Sequence, residues 1–337
     1  MEMNNYDFIT CASYYGTGSS AITDFFSEFD DIFSLGEYEY RFVQDPNGIA
    51  DLEYNIIENN HRHNTSNAIK NFKKYILECK KMGYGGYDIF GEQLDLLVEE
   101  YLEKIVQLKT HTWWNKDRID KGSLFCFIDR IYSLFMRLIH GEIKSEARYS
   151  LLKNKEIGYY TIISEKEFLD ATKQFINDLF GYVNKEKKKY IMVDQIVPPT
   201  NARRYIRYFN NIKIIVVDRD PRDIFLLEKY VWKWGVIPVD NVEEFVKWFN
   251  ITRNASFDDD QEHVLKINFE DLIYKYDITK KILTDFVGID LNKHTAPFEK
   301  FDPKISINNT NLKGKFEDSK KEIEYIEKNL KEYLYHF

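Results

Sequence analysis

Two short stretches carry side chains and spacing suited to holding an anion. The first is Ser13-Tyr14-Tyr15-Gly16-Thr17-Gly18-Ser19-Ser20-Ala21, where glycines alternate with hydroxyl residues. Placed between a strand and a helix, such a turn offers backbone N–H groups and the positive end of the helix dipole to a phosphate or sulfate. The same letters satisfy the dinucleotide fingerprint G-x-G-x-x-A, which also demands an acidic residue at the end of the next strand; Glu37 and Glu39 meet that demand. Against a dinucleotide, Tyr14 and Tyr15 lengthen the loop beyond the close turn that presents a pyrophosphate. Against a nucleoside triphosphate, Ser19 stands where a Walker loop needs lysine. A tight turn without ligand is the third reading of these glycines. The second stretch is Arg219-Asp220-Pro221-Arg222-Asp223, directly after the apolar run of residues 212–217. A buried strand there ejects Arg219 at its C-terminal end, where parallel sheets bind ligands, and Pro221 suits the first turn of a helix.

The elements that must position these residues follow from periodicity. Residues 7–13 form an apolar segment leading into the glycine turn, and Ala21, Ile22, Phe25, Phe26 and Phe29 then fall at helical spacing. A short strand over 32–35 leads into Gly36-Glu37-Tyr38-Glu39-Tyr40-Arg41. From about residue 51 to 183 the pattern is mostly helical, clearest in the stripe Leu94, Leu97, Val98, Tyr101, Ile105, Leu108. Helices are also predicted at 124–139 and at 165–183, the latter opened by a Ser164/Glu167 capping box. Strands follow at 190–197, 212–218 and 264–268, with a basic helix at 200–209 and further helices at 221–234, 277–287 and 318–335. The sequence thus predicts an α/β fold: a three-layer parallel sheet flanked by helices, one domain over residues 1–337. Residues 50–185 are a helical insertion near one end of the strands, available for binding an acceptor.

The 337-residue chain is 44% hydrophobic, enough for a sizeable core, and its net charge of −8 argues against a nucleic-acid partner. Cys11, Cys79 and Cys126 stand far apart without metal-ligand spacing, which reads as reduced thiols in a cytoplasmic protein. The N-terminus shows no signal peptide, and no apolar span reaches the ~18 residues of a membrane helix, so a soluble or peripherally membrane-bound protein is expected. His61 and His63 have strand-borne metal spacing, but no carboxylate cluster accompanies them, and they read as solvated side chains of a polar loop.

Taken together, residues 212–223 resemble the 3′-phosphate motif of sulfotransferases that use 3′-phosphoadenosine 5′-phosphosulfate (PAPS): an apolar strand followed by R-[DN]-P-R-D. Gly16-Thr17-Gly18-Ser19-Ser20 is then similar to that family's 5′-phosphosulfate loop. Residues 264–272 are similar to its strand ending in Y-E-D-L, residues 285–289 to its helix ending in F-L-G, and residues 306–315 to the C-terminal loop that covers the nucleotide. The five matches keep the family's order and lie outside the helical block. The resemblance implies a P-loop-type sulfotransferase fold, PAPS as co-substrate without a metal, and transfer of a sulfuryl group to a hydroxyl of a small-molecule or glycan acceptor, such as a carbohydrate or glycolipid. It implies that Tyr15, Gly16, Thr17, Gly18, Ser19 and Ser20 hold the phosphosulfate, Arg219 the 3′-phosphate, and Lys313, Gly314 and Lys315 part of the cover.

Two positions depart from the pattern. Gly16 stands where the family's loop carries a cation, with Arg41, Lys109 and Arg203 as possible replacements. Leu227 stands where the family has a serine, for which Lys313 or Lys315 would compensate. Three residues compete as general base. Glu37 sits in G-E-Y-E-Y-R, similar to the G-E-E-T-R of Golgi-type sulfotransferases. His111 ends a Lys-Thr-His string like that of the cytosolic enzymes, although here the string closes a long helix. Asp194 ends the strand before the 3′-phosphate motif, with Gln195 where relatives have lysine. Trp113, Trp114, Trp232 and Trp234 offer stacking faces for a sugar. The alternatives are a nucleotide kinase or an NAD-binding enzyme on a similar plan, or a degenerate nucleotide-binding protein.

Overall fold

The computed structural model describes residues 5–144, 146, 148–255 and 260–337, with the side chains of Glu37 and Tyr84 outside the described set. The chain opens with β1 (Asp7–Ser13), the glycine turn, α1 (Ser19–Ser27) and β2 (Ile32–Glu39). It then leaves the sheet for a helical block: α2 (Ile49–Glu53), α3 (Arg62–Met82), α4 (Gln93–Ile105), α5 (Asn115–Asp120), α6 (Gly122–Ile139) and α7 (Glu165–Val183). Within that block β3 (Leu108–His111) pairs antiparallel with β4 (Ile157–Tyr160). The sheet resumes with β5 (Tyr190–Asp194), α8 (Ala202–Ile206), β6 (Ile212–Asp218), α9 (Pro221–Leu227), α10 (Val242–Asn254) and β7 (Val264–Asn268). The helices α11 (Phe269–Tyr274), α12 (Tyr276–Val287), α13 (Pro303–Ser306) and α14 (Lys320–Asn329) follow.

The five long-range strands form one parallel sheet in the order β2-β5-β1-β6-β7. Side chains alternate across a strand, so each strand feeds two cores. Phe8 and Ala12 of β1, Ile191 and Val193 of β5, and Ile214 and Val216 of β6 pack with α3, α4 and α7 of the helical block. Ile9 and Cys11, Met192, Ile215 and Val217 point to the other face, against α1, α11 and α12. Burial on both faces explains why these strands read as continuous apolar runs. β1 lies at the centre, with β5 on one side and β6 on the other.

The strand predicted to reach residue 197 stops at Asp194, because Gln195 takes a left-handed φ of 54°. β2 continues to Glu39 through a register shift after Ser34, where Gly36 has φ 70°. Lys109-Thr110-His111 lies in β3 rather than at a helix end: the helix stops at Ile105 and the chain turns extended to pair with residues 157–160. His61 and His63 sit at the start of α3, not in a loop. The helix from Pro221 winds into a wider turn over Glu228–Trp232 and ends at Lys233. The closing helix is shorter than its apolar pattern, spanning Lys320–Asn329.

Candidate functional site

β1 delivers the chain into a turn in which Tyr15, Gly16 and Gly18 all have positive φ, the conformation that turns successive N–H groups toward one side. No side chain caps α1, and its first turn carries no acidic residue, so its positive end is left to the turn. Thr17 is fully buried and its hydroxyl oxygen has no hydrogen-bond partner. A Cβ at Gly18 would lie 2.4 Å from the Phe269 ring, and one at Gly16 2.6 Å from the Trp232 ring. Together with a φ of 66°, that contact explains the glycine where a cation was expected: an indole occupies the space, stacked on Trp234 at 5.1 Å.

The second turn divides its charges among separate tasks. Asp220 caps α9 by accepting from Arg222 N at 2.8 Å, and its own N–H donates to Glu270. Arg222 binds the Asp220 carboxylate and reaches Glu327 of α14 at 2.7 Å, fastening the C-terminal helix. Asp223 accepts from the N–H groups of Asn311 and Leu312, both at 2.8 Å, fixing the C-terminal loop. Arg219 alone turns toward the first motif. Its guanidinium lies 4.5 Å from the Phe269 ring centroid and donates to the carbonyls of Gly16 and Asn309, while its Nε is buried without a partner. Burial lowers its pKa against the neighbouring carboxylates of Asp223, Glu270 and Asp220.

The two turns share a cleft of about 500 Å³ at the C-terminal ends of the strands. Residues 300–309 form one wall, contributing Lys300, Phe301, Asp302, Ile305, Ser306 and Asn309. That wall is held from behind by Glu28, a buried carboxylate at the end of α1. Glu28 accepts from the N–H groups of Lys300 and Phe301 at 2.9 Å and binds His294 Nε2 at 2.7 Å; the His294 ring stacks on Phe29 at 4.6 Å. Among the described residues lining the cleft, the cations are Arg219 and Lys300. Lys300 has no motif around it and was missed in the sequence.

On the other side of β1, Asp194 and Glu39 are directly paired across β5 and β2, and both line the cleft. Asp194 is buried with its Oδ1 unpartnered. Burial raises its pKa well above the usual carboxylate range and the Glu39 charge adds to this, opposed by a hydrogen bond from Ser19. Gln195 beside it is turned inward, bonding Ser13 through both its amide nitrogen and its oxygen.

Tyr15, Gly16, Gly18, Ser19, Ser20, Asp194 and Arg219 therefore line one cleft. Glu37 lies on β2 with its side chain outside the described residues. His111 is exposed at the end of β3 and does not line the cleft. Lys313 faces Glu327 at 3.4 Å and Lys315 the carbonyl of Asn308 at 3.0 Å, so neither reaches the cleft; residues 305–309 supply that part of the loop instead. Arg41 is engaged by Asp45 at 3.0 Å and by Glu39 at 3.6 Å.

No family model matches the chain, and no curated protein matches it. Among solved structures, it is similar to the sulfotransferase domain of the curacin biosynthetic pathway at 13% identity, covering 89% of this chain and 79% of that one with a TM-score of 0.37. It is similar to the sulfotransferase domain of the Synechococcus olefin synthase at 9% identity, over 92% and 90% of the two chains with a TM-score of 0.38. It is also similar to retinol dehydratase in complex with androsterone and the inactive cofactor PAP, at 13% identity over 98% and 82%, TM-score 0.34.

Proposed function

We propose that this protein transfers a sulfuryl group from PAPS to the hydroxyl of an acceptor, with a carbohydrate or glycolipid as the favoured acceptor class. The observation that carries this reading is the convergence of the glycine turn and Arg219 on one cleft, with Arg219 Nε buried and unpartnered. Buried polar groups without partners are costly unless a ligand supplies them. A 3′,5′-bisphosphate nucleotide fits that demand.

In this reading the turn's N–H groups and the hydroxyls of Ser19 and Ser20 hold the 5′-phosphosulfate at the N-terminus of α1, and Arg219 binds the 3′-phosphate. Trp232 and Phe269 exclude water beside Arg219. Lys300 supplies the positive charge that Gly16 lacks. PAPS contributes an activated sulfuryl group whose leaving group is a phosphate. Asp194, with its raised pKa, removes the acceptor proton from the β5 side of β1. The helical block contributes to acceptor binding.

The test is thermal unfolding with 3′-phosphoadenosine 5′-phosphate. The melting temperature rises with this nucleotide and not with ATP or NAD; an ATP- or NAD-specific rise, or none at all, overturns the proposal. The Trp232 ring filling the cation's place favours one second reading, a protein that binds the nucleotide without transferring sulfate. Transfer of labelled sulfate to a glycan pool rules that reading out.

A further inference from the structure

The spacing Leu124, Phe127, Ile128, Ile131, Leu134, Phe135, Leu138 gives α6 an unbroken apolar stripe at i, i+3, i+4 and i+7, the pattern by which a helix faces a core. In the structure this stripe faces outward: Leu124 is 72% exposed, Phe127 63% and Leu138 61%. The residue that α6 buries is charged. Asp129 accepts from Ser150 Oγ at 2.9 Å and from Leu151 N at 2.7 Å. The helix is thus attached through its acid, with its apolar side turned away. Ile139 at the end of α6 is exposed as well, as are Ile119 in α5, Ile143 after α6 and Trp114 just before α5. A contiguous apolar surface of this kind marks a contact site.

The surrounding charge identifies the occupant. Residues 115–155 hold nine Lys/Arg against five Asp/Glu, in a chain whose net charge is −8. Of those acids, Asp129 is buried, Asp117 binds Lys70 and Asp120 binds Lys116. Arg130, Lys144 and Arg148 are exposed and have no carboxylate partner among the described residues. A two-fold contact between copies of this ridge would set the same cations against each other. A surface that is apolar within and anionic at its border complements both features. An anionic lipid leaflet has that composition. At ~1.5 Å per residue, α6 is about 27 Å long, enough to lie in the headgroup plane. Among the described residues no helix is long and apolar enough to cross a membrane.

We propose that α6 is a membrane-surface helix, its Leu/Phe/Ile stripe sunk into the headgroup–acyl boundary of an anionic bilayer and Arg130, Lys144 and Arg148 at the lipid phosphates. The proposal stands apart from the nucleotide cleft and uses none of the residues that line it. The experiment is co-sedimentation of the full chain with vesicles of equal phosphatidylglycerol and phosphatidylcholine, or of phosphatidylcholine alone. The wild type sediments with the anionic vesicles, releases with added salt, and stays in solution with the neutral ones. F127S/I131S/F135S weakens binding about 100-fold without lowering the melting temperature, and R130E/K144E weakens it on anionic vesicles. Failure to bind anionic vesicles, equal binding to neutral ones, or indifference to the serine substitutions overturns the proposal. So does a dimer in light scattering that the serine variant dissociates, which would assign the ridge to a second copy.

Discussion

The two flanks of β1 differ in charge. On the β5 and β2 side the strand ends present Asp194 paired with Glu39; on the β6 side they present Arg219. Neither flank is assembled by neighbours in sequence. A parallel sheet brings every C-terminal strand end to one edge, so the order β2-β5-β1-β6-β7 alone decides which charges meet across the central turn. In the proposed reaction this arrangement separates proton handling from anion holding, with the turn between them contributing backbone rather than charge.

Substitutions on each flank test that separation. The largest effect is expected for Asp194→Asn, which lowers the sulfate-transfer rate by about a hundred- to ten-thousandfold while nucleotide binding persists; loss of binding instead would place Asp194 on the anion side. Next, Arg222→Ala, which strips a partner from buried Asp220 and frees α14, lowers stability by about 3–5 kcal/mol in urea unfolding. Arg219→Ala, in the same motif, weakens 3′-phosphoadenosine 5′-phosphate about 100-fold by calorimetry. If the two arginines give the same phenotype, the division of labour within the second turn is wrong. Gly16→Lys adds the cation that the family's loop carries, yet it meets Trp232 and a left-handed backbone; it is expected to destabilise by about 1–3 kcal/mol rather than raise activity. The smallest effect is for Glu39→Gln. Removing that negative charge lowers the raised pKa of Asp194, so its carboxylate form persists to lower pH. The acid limb of the kcat/KM profile therefore moves downward. An unmoved limb would separate Glu39 from the base.

The central part of this design is legible in sequence because it is local and buried. β1 with its glycine turn and β6 with Pro221 each combine an apolar run with a turn signal, and both elements form where those signals lie. α10 has a readable signal too, Asn241 capping a helix with Phe245, Val246 and Phe249 inward. β3 and β4 had no such signal: Leu108-Lys109-Thr110-His111 is exposed at every position and is extended only because residues 157–160 pair with it. The Lys300 wall and the Trp232 ring at Gly16 depend on chain segments far from the motif they complete. The ridge of α6 is the opposite case: the helix forms where its pattern predicts, but its apolar stripe, spaced as for a core, stays exposed.

The Glu28–His294 clasp has a consequence for ligand affinity. It holds the wall bearing Lys300 and Phe301 from the far end of α1, through bonds that do not involve the cleft. In the proposed reading the wall is therefore held before the nucleotide arrives, and binding is spared the entropic cost of folding a loop over the ligand. Selectivity in such a site comes from preorganised shape, and the amides of residues 300 and 301 are expected to resist hydrogen exchange equally in the free and the nucleotide-bound protein.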